Sequence, residues 1–218
     1  MDIRFDVIQD YLPYFLQGMG LTIGLSLIGI LMGSVMGLFI ALGKMTRFKV
    51  IQFPFIWYIN FFRGTPLFVQ ILLIHFGVMP IFMSPVNPIA SAIVSLSLNA
   101  AAYIAEIFRA GIQSIDRGQM EAARSLGMSH VQAMRYVILP QAVKRMIPPL
   151  GNEFIVLLKD SSLAAVIAAP ELMYWGRAAS GATFRVWEPY LTVALIYLVL
   201  TLSLTYVLNY VERKLATE

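Results

Sequence analysis

Three stretches of the chain, residues 11–43, 64–105 and 189–211, carry no formal charge at all. A helix needs about 20 apolar residues to cross the hydrocarbon of a bilayer, so these runs have room for about one, two and one crossing helices. A fourth apolar stretch, residues 146–170, is interrupted by Glu153, Lys159 and Asp160 and reads as a further span with something polar inside it. The expectation is an all-α integral membrane protein of five transmembrane helices forming one transmembrane domain over residues 1–218. Composition agrees: 13% of residues are charged and 59% hydrophobic, against about a quarter charged in ordinary soluble domains.

The first apolar run is long and glycine-spaced, with no strongly basic segment before it, and reads as a retained span rather than a secretory signal. Without cysteine the chain has no disulfide, thiolate metal site or cysteine nucleophile. It has no GxxxxGK[ST] phosphate loop and no HExxH zinc motif, and its two histidines are far apart in sequence. No internal repeat or low-complexity linker is visible.

Five spans place the termini on opposite sides. Lys44, Arg47 and Lys49, the region 109–145, and Arg213 with Lys214 then share one face and hold eleven of the sixteen basic residues, while the other face keeps Arg4, Arg177 and Arg185. The basic face is expected to be cytoplasmic, which puts the N-terminus outside and the C-terminus inside. Arg63 and Arg109, at the ends of apolar spans, read as interface anchors, and Tyr174, Trp175, Trp187 and Tyr190 as an interfacial belt on the outer side. His75 reads as an ordinary residue of a membrane edge.

Within the first span, Gly29, Gly33 and Gly37 recur every four residues on one helical face, a pattern for close helix packing. Pro80, Pro85, Asn87 and Pro88 mark an outer turn.

The segment EAARSLGMSHVQAMRYVILP, residues 121–140, has the composition of a soluble helical pair. Asp116 with Gln119, and Ser129 with Gln132, have capping-box spacing. The predicted helices cover about 117–126 and 130–139, with Gly127 as a left-handed cap and Pro140 as a stop. Met120, Leu126, Met128, Val131 and Met134 are apolar knobs with no obvious core of their own. Glu121 and the modest basic content argue against a lipid-lying helix and favour one that fits a partner's groove.

Glu121, Ala122, Ala123, Gly127, Val137, Leu139 and Pro140 resemble the EAA loop of the membrane subunits of ATP-binding-cassette importers. The pattern is EAA, three residues, G, nine residues, I, one residue, LP; Val137 in the Ile position is the single departure. FFRGTP at 61–66, YIAEIFRAGI at 103–112 and GNEFIVLLKDSSL at 151–163 are similar to the polar amino-acid uptake permeases within that group. The likeness covers nearly the whole chain.

The resemblance implies that a cytoplasmic loop at about 113–140, between spans 3 and 4, is a coupling helix docked on an ATPase subunit through Glu121, Ala122, Ala123, Gly127, Met128, Leu139 and Pro140. It also implies a multi-pass protein of the bacterial cytoplasmic (inner) membrane with no catalytic site of its own. The implied partners are two ATPase subunits that hold the ATP and magnesium, a second permease copy or a sister permease, and an extracytoplasmic solute-binding protein. No nucleic acid is implied.

Charged side chains at membrane depth are costly and normally face a partner or a water-filled path. Asn152 and Lys159 are seven residues apart, as are Glu153 and Asp160, so each pair returns to nearly the same helical face. Pro148, Pro149 and Gly151 loosen the start of this helix, and Ser161 and Ser162 offer groups to its backbone near a break. Asn152, Glu153, Lys159, Asp160 and Ser161 are therefore candidate substrate contacts, with an ion pair or subunit contact as the structural alternative. Two acids against one base lean towards a basic amino acid such as arginine, lysine or histidine. A glutamine or other polar amino-acid permease, and an ATP-independent carrier, stand as alternatives.

Overall fold

The computed structural model describes residues 5–217 and contains helices but no strands among them; the basic residue Arg4 lies outside the described residues. In chain order the helices are α1 (Phe5–Lys44), α2 (Lys49–Gly64), α3 (Leu67–Leu72) running through a π-helical stretch (Leu73–Val78) into α4 (Met79–Phe82), and α5 (Pro88–Gln113). After these come α6 (Arg117–Ser125), α7 (His130–Ala133), a second π-helical stretch (Met134–Ile138), α8 (Leu139–Asp160), a 3-10 segment (Ser161–Ile167), α9 (Leu172–Thr183) and α10 (Trp187–Thr217).

Among the described residues three helices are long and apolar enough to cross a membrane: Ile8–Lys44, Pro88–Gln113 and Trp187–Leu215. The bent pair Lys49–Gly64 and Leu67–Phe82 adds a fourth if it is one span. The expected fifth corresponds to α8, which is helical over the right length but carries Lys144, Arg145, Glu153, Lys159 and Asp160. The helical character of residues 49–64 is legible only in the fold, because charges at both ends had set that segment outside the apolar runs.

The centre of the bundle is α1 against α5. The glycine stripe makes that contact: a β-carbon on Gly33 would lie 2.9 Å from the Ala100 β-carbon, and one on Gly37 would lie 3.0 Å from the Ala101 carbonyl oxygen. Ala100, Ala101, Ala102 and Ala105 answer from α5, all fully buried. Small residues on both faces let the backbones approach and gain dispersion contact that lipid tails cannot match. Leu25, Ile71, Leu96, Ile104 and Leu157 continue this core across four helices.

The bend between α2 and α3, 108°, falls at Gly64-Thr65-Pro66. Pro66 pushes Thr65 into extended backbone, φ −118° and ψ 148°, which ends α2. The carbonyls freed there are satisfied from the core: Gln70, buried, donates to the Phe62 oxygen at 2.9 Å and the Thr65 oxygen at 3.0 Å, and Asn99 donates to Gln70 Oε1 at 2.9 Å. In the turn before α5, Asn87 caps that helix by accepting from the amides of Ile89 and Ala90, and Pro88 fills the first helical position.

One sequence expectation is corrected. Pro140 does not stop a helix. The π-helical stretch Met134–Ile138 shifts the hydrogen-bond ladder just ahead of it, and Pro140 sits in the first turn of α8, where a missing N–H costs little. Pro148 and Pro149 lie inside α8 without ending it, and the departure from α-geometry begins at Ser161, near the expected break, in the 3-10 segment that closes at Ala168, φ 60°.

Candidate functional site

The loop between α5 and α8 is a rigid hairpin. Asp116 caps α6 by accepting from Gly118 N at 2.8 Å. Gln119 does not close that box, since its side chain accepts instead from Gln141 on α8. Gly127, φ +84°, ends α6 in a Schellman arrangement, with Met128 N bonded to the Ala123 oxygen and Gly127 N to the Arg124 oxygen. Ser129 and Gln132 form the complete capping box of α7, and the Arg124 guanidinium donates to the Met128 carbonyl at 2.8 Å.

The apolar knobs of the hairpin divide into two groups. Met120 and Met134, read in the sequence as lacking a core, pack against Ile115, Ile138, Ala142 and Met146; the foot of α8 supplies that core, which sequence spacing does not show. Leu126 and Val131 stay bare, 84% and 73% exposed. Glu121 and Ala122 are exposed beside them, Met128 is half-buried, and Ala123 is buried against the hairpin itself. Ser125 bonds the Glu121 backbone oxygen, leaving that carboxylate at the surface. Leu139 and Pro140 lie on the exposed side of the foot of α8.

A second site lies between α2, α5 and α8: a cleft of ≈ 470 Å³ lined by Arg63, Tyr103, Glu106, Arg145, Pro149 and Glu153 among others. Its wall carries an ion cluster that the sequence reading missed. Glu106 Oε1 accepts from Lys44 Nζ at 2.6 Å and Oε2 from Arg109 Nη2 at 2.9 Å, while Arg63 Nη1 stands 3.8 Å from Oε2 and its guanidinium lies over the Tyr103 ring. The cluster joins the ends of α1 and α2 to α5. Arg63 and Arg109 are thus counter-ions of Glu106 rather than simple interface anchors. The Arg-three-residues-after-Glu spacing in YIAEIFRAGI was the available signal, but Lys44 and Arg63 come from other helices.

Of the five candidate substrate contacts, Glu153 is half-buried in this cleft, Asn152 and Lys159 are exposed, and Asp160 is half-buried two turns along the same helical stripe as Glu153. Ser161 is fully buried and its hydroxyl donates to the Leu158 carbonyl at 2.8 Å, the local role of a helix-end serine.

The sequence reading also passed over Glu171. It is fully buried, and its carboxylate accepts from Met173 N at 2.9 Å and Tyr174 N at 2.7 Å, from the Tyr197 hydroxyl at 3.0 Å and from Thr22 at 3.4 Å. One carboxylate therefore caps α9 and ties it to α1 and α10. Trp175, read as part of an interfacial belt, packs on the half-exposed Tyr14 with ring centroids 4.6 Å apart, and Trp187 is exposed. We expect Glu171→Ala to lower the stability of the purified chain by about 2–4 kcal/mol, since it deletes a cap and strands buried donors. Thermal unfolding in detergent checks this; an unchanged melting temperature would show that the network is dispensable.

Comparison with known proteins fits these features. Residues 29–217 match the family described as binding-protein-dependent transport system inner membrane component. The chain is 38% identical to the arginine transport system permease protein ArtQ of Bacillus subtilis, covering 99% of this chain and 98% of that protein. It is 36% identical to the glutamine transport system permease protein GlnP of Escherichia coli, covering 99% of each. Among solved structures, the amino acid ABC transporter with histidines superposes with a TM-score of 0.92 at 45% identity, over 98% of this chain and 100% of that one. The MetNI methionine ABC transporter shares the fold alone, with a TM-score of 0.80 at 20% identity over 94% of this chain and 97% of that one.

Proposed function

Because the chain belongs to the family of binding-protein-dependent transport inner membrane components, as a permease subunit of an amino-acid ABC importer, we propose that its cargo is a basic amino acid. We also propose that residues 113–140 couple it to an ATPase. The observation that carries the cargo reading is Glu153, a half-buried carboxylate on the wall of the charged cleft with Asp160 on the same helical stripe. A carboxylate held out of bulk water favours a cationic side chain over a neutral amide, because the ion pair offsets a desolvation penalty already incurred by the protein. Similarity to an arginine and to a glutamine permease alike leaves the choice to that chemistry.

Five crossings, with the N-terminus outside and the hairpin in the cytoplasm, suit this role. A polar cleft open on one side of a small bundle needs a second permease to shield it from lipid, so a homodimer or a pair with a sister permease is the working assembly. ATP and magnesium belong to two cytoplasmic ATPases, and the cargo arrives from an extracytoplasmic binding protein. Of the candidate contacts, Asn152, Lys159 and Asp160 extend the polar stripe past Glu153, while Ser161 holds the helix end they project from.

In proteoliposomes containing the reconstituted complex, Glu153→Gln is expected to reduce arginine uptake about tenfold or more, equivalent to ~1.4 kcal/mol or more, and to leave glutamine uptake near its starting value. An equal loss for both amino acids would remove Glu153 as a determinant of specificity. Uptake that persists without ATP would instead favour a secondary carrier.

A further inference from the structure

Arg63 stands apart from the other cations around the charged cleft. Lys44 and Arg109 reach Glu106 at 2.6 and 2.9 Å, whereas Arg63 comes no nearer than 3.8 Å. Arg145 gives a guanidinium N–H to the Ser114 carbonyl. Arg63 makes no hydrogen bond to any described residue; it rests over the Tyr103 ring, 5.2 Å from the centroid, with its side chain 43% exposed. A guanidinium held in this way is restrained by the ring while its fork of N–H donors stays open, and that fork matches a carboxylate.

Charge and register point the same way. Lys44, Arg63 and Arg109 gather about the single carboxylate of Glu106, so even with Glu153 counted the positive charge is in excess. Away from bulk water an anion relieves such an excess. Arg145 of α8 meets Ser114 just past the end of α5, and Met146 lies against Gly111. The antiparallel course of the two helices then brings Tyr103, with Arg63 over it, level with Glu153 about two turns further along. An open donor fork and a carboxylate thus line one level of a cleft of ≈ 470 Å³, a volume usual for small-molecule sites.

We propose that Arg63 receives the α-carboxylate of the transported amino acid while Glu153 receives its side chain. The inference rests on the cleft being the cargo site but not on which amino acid is carried, because every α-amino acid presents that carboxylate. Arg63 therefore selects amino acids as a class and Glu153 selects among them. Turning from Glu106 to the cargo costs little, since a half-exposed ion pair at 3.8 Å contributes little and Lys44 and Arg109 remain on Glu106.

The test is equilibrium dialysis of the purified permease–ATPase complex, without a binding protein, against two pairs of radiolabelled probes: arginine with agmatine, and glutamine with 4-aminobutanamide. The members of each pair differ only in the α-carboxylate. The unaltered complex is expected to bind arginine at least about tenfold more tightly than agmatine, ~1.4 kcal/mol. Arg63→Gln should weaken arginine by that factor and leave agmatine unchanged, closing the gap. Arg63→Lys, which keeps the charge without the fork and so guards against a folding failure, should narrow it. Glu153→Gln should weaken arginine and agmatine alike. A gap that persists in both Arg63 variants, that is absent from both pairs in the unaltered complex, or that closes in Arg145→Gln instead, would overturn the assignment. If only the glutamine pair shows the Arg63-dependent gap and Glu153→Gln changes neither pair, the basic-cargo reading fails while the carboxylate site stands.

Discussion

Gly33→Leu is expected to abolish assembly of the bundle, while Gly20→Leu on the same helix is tolerated. At position 33 a first side-chain carbon already meets the Ala100 β-carbon at 2.9 Å and the Ala101 amide nitrogen at 3.3 Å, and these neighbours are α5 backbone or a methyl with nowhere to turn. Nothing lies within 4 Å of the corresponding point at Gly20. Overpacking a close-packed core costs ~1–3 kcal/mol even where side chains can adjust. Here the whole of α5 would have to withdraw, which also breaks the contacts Gly29 makes with Leu96 and Gly37 makes with Ile104. The measurement is the amount of monodisperse protein recovered by size-exclusion chromatography of fluorescently tagged membranes. A drop of about tenfold or more for Gly33→Leu, matching at least ~1.4 kcal/mol, beside near-normal Gly20→Leu, supports the stripe as the central contact. Equal recovery of the two would refute it.

Leu126→Glu addresses the hairpin and should separate folding from coupling. The leucine is 84% exposed, so within this chain the substitution removes almost nothing and the purified protein should melt normally. If α6 docks in an ATPase groove, the same change places a carboxylate where an apolar anchor was buried, and losses of that kind reach 2 kcal/mol or more, roughly 30-fold in affinity. ATP-driven uptake in proteoliposomes is then expected to fall to background with the ATPase still able to hydrolyse on its own. Glu121→Lys should act in the same direction, since its carboxylate is exposed beside Ala122 on the hairpin. Normal coupled uptake by Leu126→Glu would mean that the hairpin meets its partner by another face.

How far these features could be read without coordinates depends on how local their causes are. The three charge-free runs, the glycine stripe, the Ser129–Gln132 capping box and the left-handed Gly127 are set by residues within a few positions of one another. The stripe, the box and Gly127 survived as read, whereas the charge-free run 64–105, read as two spans, opens at the 108° bend of a helix pair that begins at Lys49. Pro140 was misread because a proline stops a helix only when the preceding ladder is regular, and the π-helical stretch before it is invisible in composition. Met120 and Met134 were misread because their core comes from the foot of α8.

The sequence by itself determined that this chain is helical, that it belongs in a membrane and that a charged hairpin interrupts it. Those properties follow from length, hydropathy and capping, which act along the chain. Only the tertiary structure decided that Glu106 gathers Lys44, Arg63 and Arg109, that Glu171 binds α9 to α1 and α10, and that Glu153 on α8 shares a cleft with Arg63 and Tyr103. Each of these joins residues from separate helices, Thr22 and Glu171 standing 149 positions apart. Their cause is the cost of leaving a charge or a hydrogen-bonding group unsatisfied in an apolar interior, and that cost fixes which helices must meet without marking the partner in either segment.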